Sequence, residues 1–188
     1  MTTLIDDALP ETPVTAYSSA NWSRWLRHAC YLPWRTRRVF RPEVCVQIAE
    51  AVANAEAGHA GELMVIVEGH LPLANALRQT TRDRAVQLFG QYRVWDTELN
   101  SGILLYLNVC ERRLEILADR GIHAVSGTGH WQQICRQMSQ QLQQGAIAEG
   151  LITGITALGQ TLDQYAAGQT VSLAKDQGNE LPNQVILL

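Results

Sequence analysis

The residues best placed to do chemistry lie between Arg93 and Gly121. Asp96, Glu98 and Asn100 occupy a polar loop ahead of an apolar stretch, Ile103 to Val109. The charged turn Cys110-Glu111-Arg112-Arg113 follows, then a second apolar stretch, Leu114 to Ala118, which stops at Asp119-Arg120-Gly121. Two strands joined by a tight turn bring the residue before the first close to the residue after the second. Such a hairpin gathers Asp96, Glu98 and Asp119 at one sheet edge. Carboxylates and asparagine carbonyls are the oxygen donors that Ca2+ and Mg2+ take. Asp96, Glu98, Asn100 and Asp119 are the expected ligands, and Glu62 joins them if the strand it opens runs parallel to 103–109. The other reading is a hydrogen-bonded loop, with Asp96 capping the turn and Asp119 paired to Arg120 or Arg93. The spacing is not that of an EF-hand.

Hydrolytic machinery does not accompany these residues. A cysteine phosphatase needs an arginine six residues after its nucleophile, but Thr36, Ala51, Ile116 and Gln141 stand six past Cys30, Cys45, Cys110 and Cys135. The nearest approach to an Asp-x-Asp nucleophile is Asp96-Thr97-Glu98, and Arg27-His28 lacks the glycine of a histidine phosphatase. What remains is water activated by a metal at the acidic loop. The polar bend Ser126-Gly127-Thr128-Gly129 could cradle a phosphate at a helix N-terminus, or serve as a flexible turn with Thr128 as helix cap. His59 and Glu62 have a metalloprotease-like spacing without a second histidine. His70, His123 and His130 are scattered and take no role.

The elements that position the acidic loop follow from hydrophobic pattern. Glu62 to Glu68 is a continuous apolar run of strand length, expected as a central strand buried on both faces. Pro42 opens a helix with an apolar stripe of Val44, Cys45, Ile48, Ala49 and Val52, stopping near Gly58. Pro72 is expected to open a second helix reaching about Phe89, with Leu73, Leu77, Ala85 and Leu88 inward. Strand, helix and strand make a crossover unit, so 103–109 should run parallel to 62–68, and 114–118 should return antiparallel. A helix carrying Trp131, Ile134, Cys135, Met138 and Leu142 ends at Gly145, and a last helix runs from Ile147 to about Ala167. The expected fold is an α/β/α three-layer sandwich on a small mixed sheet.

The chain of 188 residues carries a net charge of −3, and its basic charge is concentrated in one arm. Residues 21–41 hold Arg24, Arg27, Arg35, Arg37, Arg38 and Arg41 with no acid, interleaved with Trp22, Trp25, Tyr31, Trp34 and Phe40. Two uses of this composition stand open. The aromatics pack on the domain and the arginines are solvated, or Trp22, Arg24, Trp25, Arg27, Trp34, Arg35, Arg37 and Arg38 dock on an anionic membrane surface or a membrane-protein partner. Nucleic acid is not expected, because the rest of the chain is acidic and offers no wider basic face. Residues 1–20, acidic and proline-containing, read as disordered, and 168–188 as a polar tail with an apolar end. The four cysteines lack zinc-ligand spacing and read as reduced thiols. No secretory signal or membrane span is evident, so the expected address is the cytoplasm, with peripheral attachment at the inner membrane through the arm.

The strands GELMVIVEG, NSGILLYLNV and RRLEILADRGI, together with Trp131-Gln-Gln-Ile-Cys135 and Gly145…Glu149-Gly150-Leu151…Gly154-Ile155, resemble the TPM domain over about residues 42–167. The ADRG ending, the RVWDTE loop and the basic aromatic arm resemble a bacterial subgroup lacking its own membrane span. Glu111 stands where that pattern usually has Asp, and Ser101 where a second Asn is usual. The resemblance implies an α/β/α fold, divalent-cation binding and no organic cofactor. Its functional implications divide between an accessory factor for membrane complexes and the metal-dependent phosphatase label attached to plant members. The sequence supports first a non-catalytic binding domain that docks on a membrane surface or membrane-protein complex, and second a weak metal-dependent phosphatase.

Overall fold

The strand Glu62–Glu68 (β1) is the axis of the fold in the computed structural model, which describes residues 19–57, 61–97, 100–168 and 181–188. Of residues 19–21, 123–129, 132 and 165–168 the backbone alone is described. β1 pairs in parallel with β2 (Gly102–Asn108), Glu62 opposite Gly102 and Glu68 opposite Asn108. β3 (Arg113–Ala118) returns antiparallel, and β4 (Ile186–Leu187) lies parallel to β1 on its other side. The order is β3-β2-β1-β4.

Pleating sends alternate side chains to opposite faces, and both faces are covered, which is why β1 and β2 are near-continuous apolar runs between their end residues. On one face Leu63, Val65, Val67, Ile103, Leu105 and Leu107 share a core with α3 (Pro42–Ala55), α5 (Arg120–Gln143) and α6 (Ile147–Gly168). On the other, Met64, Ile66, Leu104 and Tyr106 meet Ala85, Leu88 and Phe89 of α4 (Thr81–Gln91). The α/β/α sandwich on a mixed sheet expected from the hydrophobic pattern is the observed fold. Gly159 of α6 lies against Ala55 of α3, where a Cβ would come within 2.8 Å of the Ala55 Cα.

Two local expectations are corrected. Residues 72–79 form turns, and α4 begins at Thr81 rather than at Pro72. Thr80 caps it in a reciprocal box with Asp83, satisfying backbone donors that Pro72 could not reach. Leu73 is accordingly exposed and Leu77 half-buried, while Ala85 and Leu88 are buried as expected. Second, Ser126–Gly129 lies inside α5 and is not a bend. The helix starts at Arg120, capped by Asp119, so neither the phosphate-cradling helix N-terminus considered for Ser126–Gly129 nor the cap considered for Thr128 exists there. The apolar chain end, about which the sequence left docking open, supplies β4, with the Leu188 N–H donating to the Val67 carbonyl at 2.9 Å and the Gly69 N–H to the Leu188 carbonyl at 3.1 Å.

The arm is helical: α1 (Ser19–Ala29) and α2 (Trp34–Val39) precede α3. α1 begins two residues inside the segment read as disordered, whose residues 1–18 lie outside the described residues, as do 169–180 of the tail. On the edge strand β3, Arg82 of α4 donates to the Ile116 carbonyl at 3.1 Å, and Thr81 donates to the Glu115 carboxylate at 2.8 Å.

Candidate functional site

The loop before β2 is braced from within. Arg93 and Asn100 adopt positive φ (54° each) and bound it, and the buried Thr97 Oγ1 accepts the Ser101 N–H at 2.9 Å. Parallel pairing of β1 and β2 brings the start of β1 to this end: the Glu62 N–H donates to the Ser101 carbonyl, and the Asp119 N–H to the Gly102 carbonyl. Glu62, the loop and Asp119 therefore share one end of the sheet, as the hairpin argument requires.

The acidic side chains use that proximity unequally. Asp119 is buried; its Oδ1 accepts the Arg120 N–H at 2.7 Å, and its Oδ2 has no hydrogen-bond partner among the described residues. Asn100 Oδ1 lies 3.5 Å from an Arg120 guanidinium nitrogen. Asp96 is exposed and faces Arg93 at 3.5 Å, so that the arginine considered for Asp119 lies against Asp96 instead. Glu62 accepts the Leu181 N–H at 3.2 Å, tying the chain end to β1. Glu98 lies outside the described residues. Beside Glu62, Glu56 accepts the Leu63 N–H at 2.6 Å; burial, with the Glu62 charge adding to it, pushes the Glu56 carboxyl up to about 8. Among the described residues no three acidic, histidine or cysteine side chains converge as a metal cage. The donor whose chemistry suits a hard cation is the Asp119 Oδ2, unpartnered among the described residues, while the Asn100 carbonyl faces the Arg120 guanidinium.

The opposite end of the sheet, where β1 and β2 finish, holds a denser polar constellation. Glu68 is 3% exposed and takes Arg84 of α4 on Oε1 at 2.6 Å and the Tyr106 hydroxyl on Oε2 at 2.7 Å. Burial first, then the Glu68 charge, raises the Tyr106 phenol well above its ordinary range. Asn108 donates to the Tyr106 oxygen and accepts the Glu111 N–H at 2.9 Å, presenting the Glu111 carboxylate to the arm.

Glu111 is the seat of α1. Its Oε1 accepts Arg24 Nε and Nη2, each at 2.7 Å, and His28 Nε2 at 2.6 Å. Arg24 Nη1 donates to the Ala76 and Gln79 carbonyls at 2.7 and 2.9 Å. His28 is 1% exposed and its Nδ1 accepts the Leu71 N–H at 3.1 Å. A ring nitrogen that accepts an N–H carries no hydrogen, so the proton of the neutral imidazole sits on Nε2 and is donated to Glu111.

This inverts α1. Arg24 and His28, one turn apart, face the body, whereas Trp22 (54% exposed) and Leu26 (53%) share the face turned away from it. Trp25 is half-buried with its ring edge-on to Trp22, and Trp34 is exposed with Arg35 above its ring. Arg27, Arg35, Arg37 and Arg38 are exposed and pair with no acid among the described residues. Of the eight arm residues singled out in the sequence, Arg24 is spent within the fold. Glu111 and His28, which hold it there, carried no local sequence signal; what the sequence did contain was the i, i+4 spacing of both pairs.

Among the described residues no helix is long and apolar enough to cross a membrane. Residues 36–161 match the model of the TPM domain. Among solved structures the chain is similar to the BA42 protein of the psychrophilic bacterium Bizionia argentinensis, determined by NMR. The TM-score is 0.65 at 28% identity, covering 77% of this chain and 92% of that one. No curated protein matches the chain.

Proposed function

The chain belongs to the TPM domain family, and we propose that it acts there as a non-catalytic binding module whose arm docks on an anionic membrane surface. The observation that carries this reading is the inverted α1, with its polar pair on Glu111 and its tryptophan and leucine facing outward. Tryptophan favours the headgroup level of a bilayer, and guanidinium groups are drawn to anionic lipid. Four exposed arginines around Trp22, Leu26 and Trp34 meet both demands. The site of action on this reading is the inner face of the cytoplasmic membrane, with the protein held peripherally.

The acidic edge is assigned a supporting role. Asp119 Oδ2 and Asn100 would take one divalent cation, Ca2+ or Mg2+, with Glu98, Asp96 and Glu62 as further oxygen donors. Such an ion would offset the Asp119 charge and brace the loop against the start of β2. No nucleophile accompanies these groups, so binding is assigned ahead of phosphoester turnover.

Co-sedimentation of the full chain with phosphatidylglycerol vesicles tests the docking role. Trp22→Ser with Leu26→Ser and Trp34→Ser should weaken binding by at least about tenfold, because burial of each large side chain contributes about 1.5–3 kcal/mol. Binding unchanged in the triple variant, or equal on neutral phosphatidylcholine, refutes the role. Recovery with native membranes but not with protein-free vesicles transfers the arm to a membrane-protein partner.

A further inference from the structure

We propose that His28 is an acid-sensitive latch, holding α1 on Glu111 at neutral pH and releasing it on acidification. The proposal rests on the docking role given to the arm and assigns its regulation. The geometry of the imidazole carries it. Both ring nitrogens are committed: Nε2 donates to Glu111 at 2.6 Å and Nδ1 accepts the Leu71 N–H at 3.1 Å. A second proton can enter only at Nδ1, where it would face the Leu71 hydrogen and end that bond. Histidine is the side chain whose charge changes near neutral pH.

The surroundings oppose the charged ring as well. His28 is 1% exposed. The β2–β3 turn contributes one anion, Glu111, which already holds the Arg24 guanidinium from α1 itself. His70, from the segment after β1, faces the same ring and disfavours a second positive charge, as Arg24 does. Burial dominates and lowers the imidazole below its ordinary value, with Glu111 only partly offsetting it.

The direction follows. A histidine that binds its proton less readily when docked than when free supports docking fully above the free value, about 6.5. That support is lost as pH falls from there through the docked value, by up to about tenfold per pH unit. Release also unmasks Arg24 and a protonated His28. Two further cations on an anionic surface strengthen attachment by about fivefold each. Acid therefore converts an arm seated on the protein into one free to lie on lipid.

Amide exchange of residues 22–31 in the full chain, without lipid and corrected for intrinsic exchange, reads the latch directly. Protection should fall by up to about tenfold per unit below about pH 6.5, while β1 and β2 stay protected. His28→Gln can still donate to Glu111 and accept from Leu71, and should abolish the pH dependence. Protection equal at about pH 7.5 and about pH 5.5 in the native chain overturns the proposal. So does an acid-sensitive His28→Gln. If that variant leaves the helix open at every pH, imidazole nitrogen shifts of the native protein decide. A neutral Nε2–H ring titrating below about 6.5 supports the latch, and an Nδ1–H ring or a value at or above 6.5 refutes it. Because these measurements use no membrane, a failed latch and a failed docking role give separate results.

Discussion

Replacing Gly159 by alanine should destabilise the fold although alanine is the better helix former. The added Cβ would stand 2.8 Å from both Cα and Cβ of Ala55. Carbon atoms pack best at about 3.5–4.0 Å, so α3 and α6 must separate by about 1 Å. A gap of that size forfeits about a quarter to a half of each dispersion contact it opens. The contacts at risk are those between α3 and α6, whose Ile48, Val52, Ile155, Leu158 and Leu162 belong to one core. Overpacking costs about 1–3 kcal/mol, and alanine returns about 1 kcal/mol of helix propensity. The expected net loss is about 1 kcal/mol, the centre of a range of about 0–2 kcal/mol, read as a lowered urea midpoint with an unchanged slope. Gly90 is the control: a Cβ there meets nothing within 4 Å, so Gly90→Ala should be neutral or stabilise by up to about 1 kcal/mol. A Gly159→Ala midpoint at or above that of the native protein, with the Gly90→Ala control behaving as expected, would refute the close-approach argument.

Two further outcomes follow from the sheet ends. Arg84→Met strands the buried Glu68 with only the Tyr106 hydroxyl and should cost about 3 kcal/mol, whereas Glu68→Leu with Arg84→Met should recover to within about 1 kcal/mol of native; a double variant as unstable as the single one would contradict this. If Asp119 holds a cation, Ca2+ or Mg2+ at about a hundredfold over its Kd adds about 2.7 kcal/mol, seen as a raised Tm that Asp119→Asn abolishes; a native Tm unmoved by either ion removes the assignment.

The parts of the fold readable in the sequence were those written in local pattern. Glu62–Glu68 announced a central strand because both of its faces are buried, and the return expected at 114–118 followed from the charged turn, the observed strand starting one residue earlier at Arg113. Pro42 opened a helix and Gly145 followed the end of one, where proline and glycine are favoured. The readings that missed did so where a cap outweighed a helix breaker. Thr80 with Asp83 set the start of α4 in place of Pro72, and Asp119 carried α5 through two glycines that suggested a bend. Both capping residues stood in the sequence. For the candidate site the sequence located the shared sheet end, but not which carboxylates are already engaged: Asp96 by Arg93, Glu62 by Leu181. The seat of the arm was harder still. Arg24 and Glu111 are 87 residues apart, and only the assembled sheet discloses that the polar stripe of α1 is its inner one.

The grip of Arg82 on the Ile116 carbonyl bears on how the molecule behaves in a crowd. β3 is the outer strand of the sheet, and an outer strand with free carbonyls is a template on which a second chain can add. Arg82 occupies an acceptor in that row, Thr81 fixes the neighbouring Glu115, and the exposed Arg113 places charge at the strand's start. At the far side, β4 and Leu188 cover the last part of β1 in the same way. These contacts oppose addition of a further strand at Ile116 of β3 and cover the last part of β1, so they work against association of the protein through its strands.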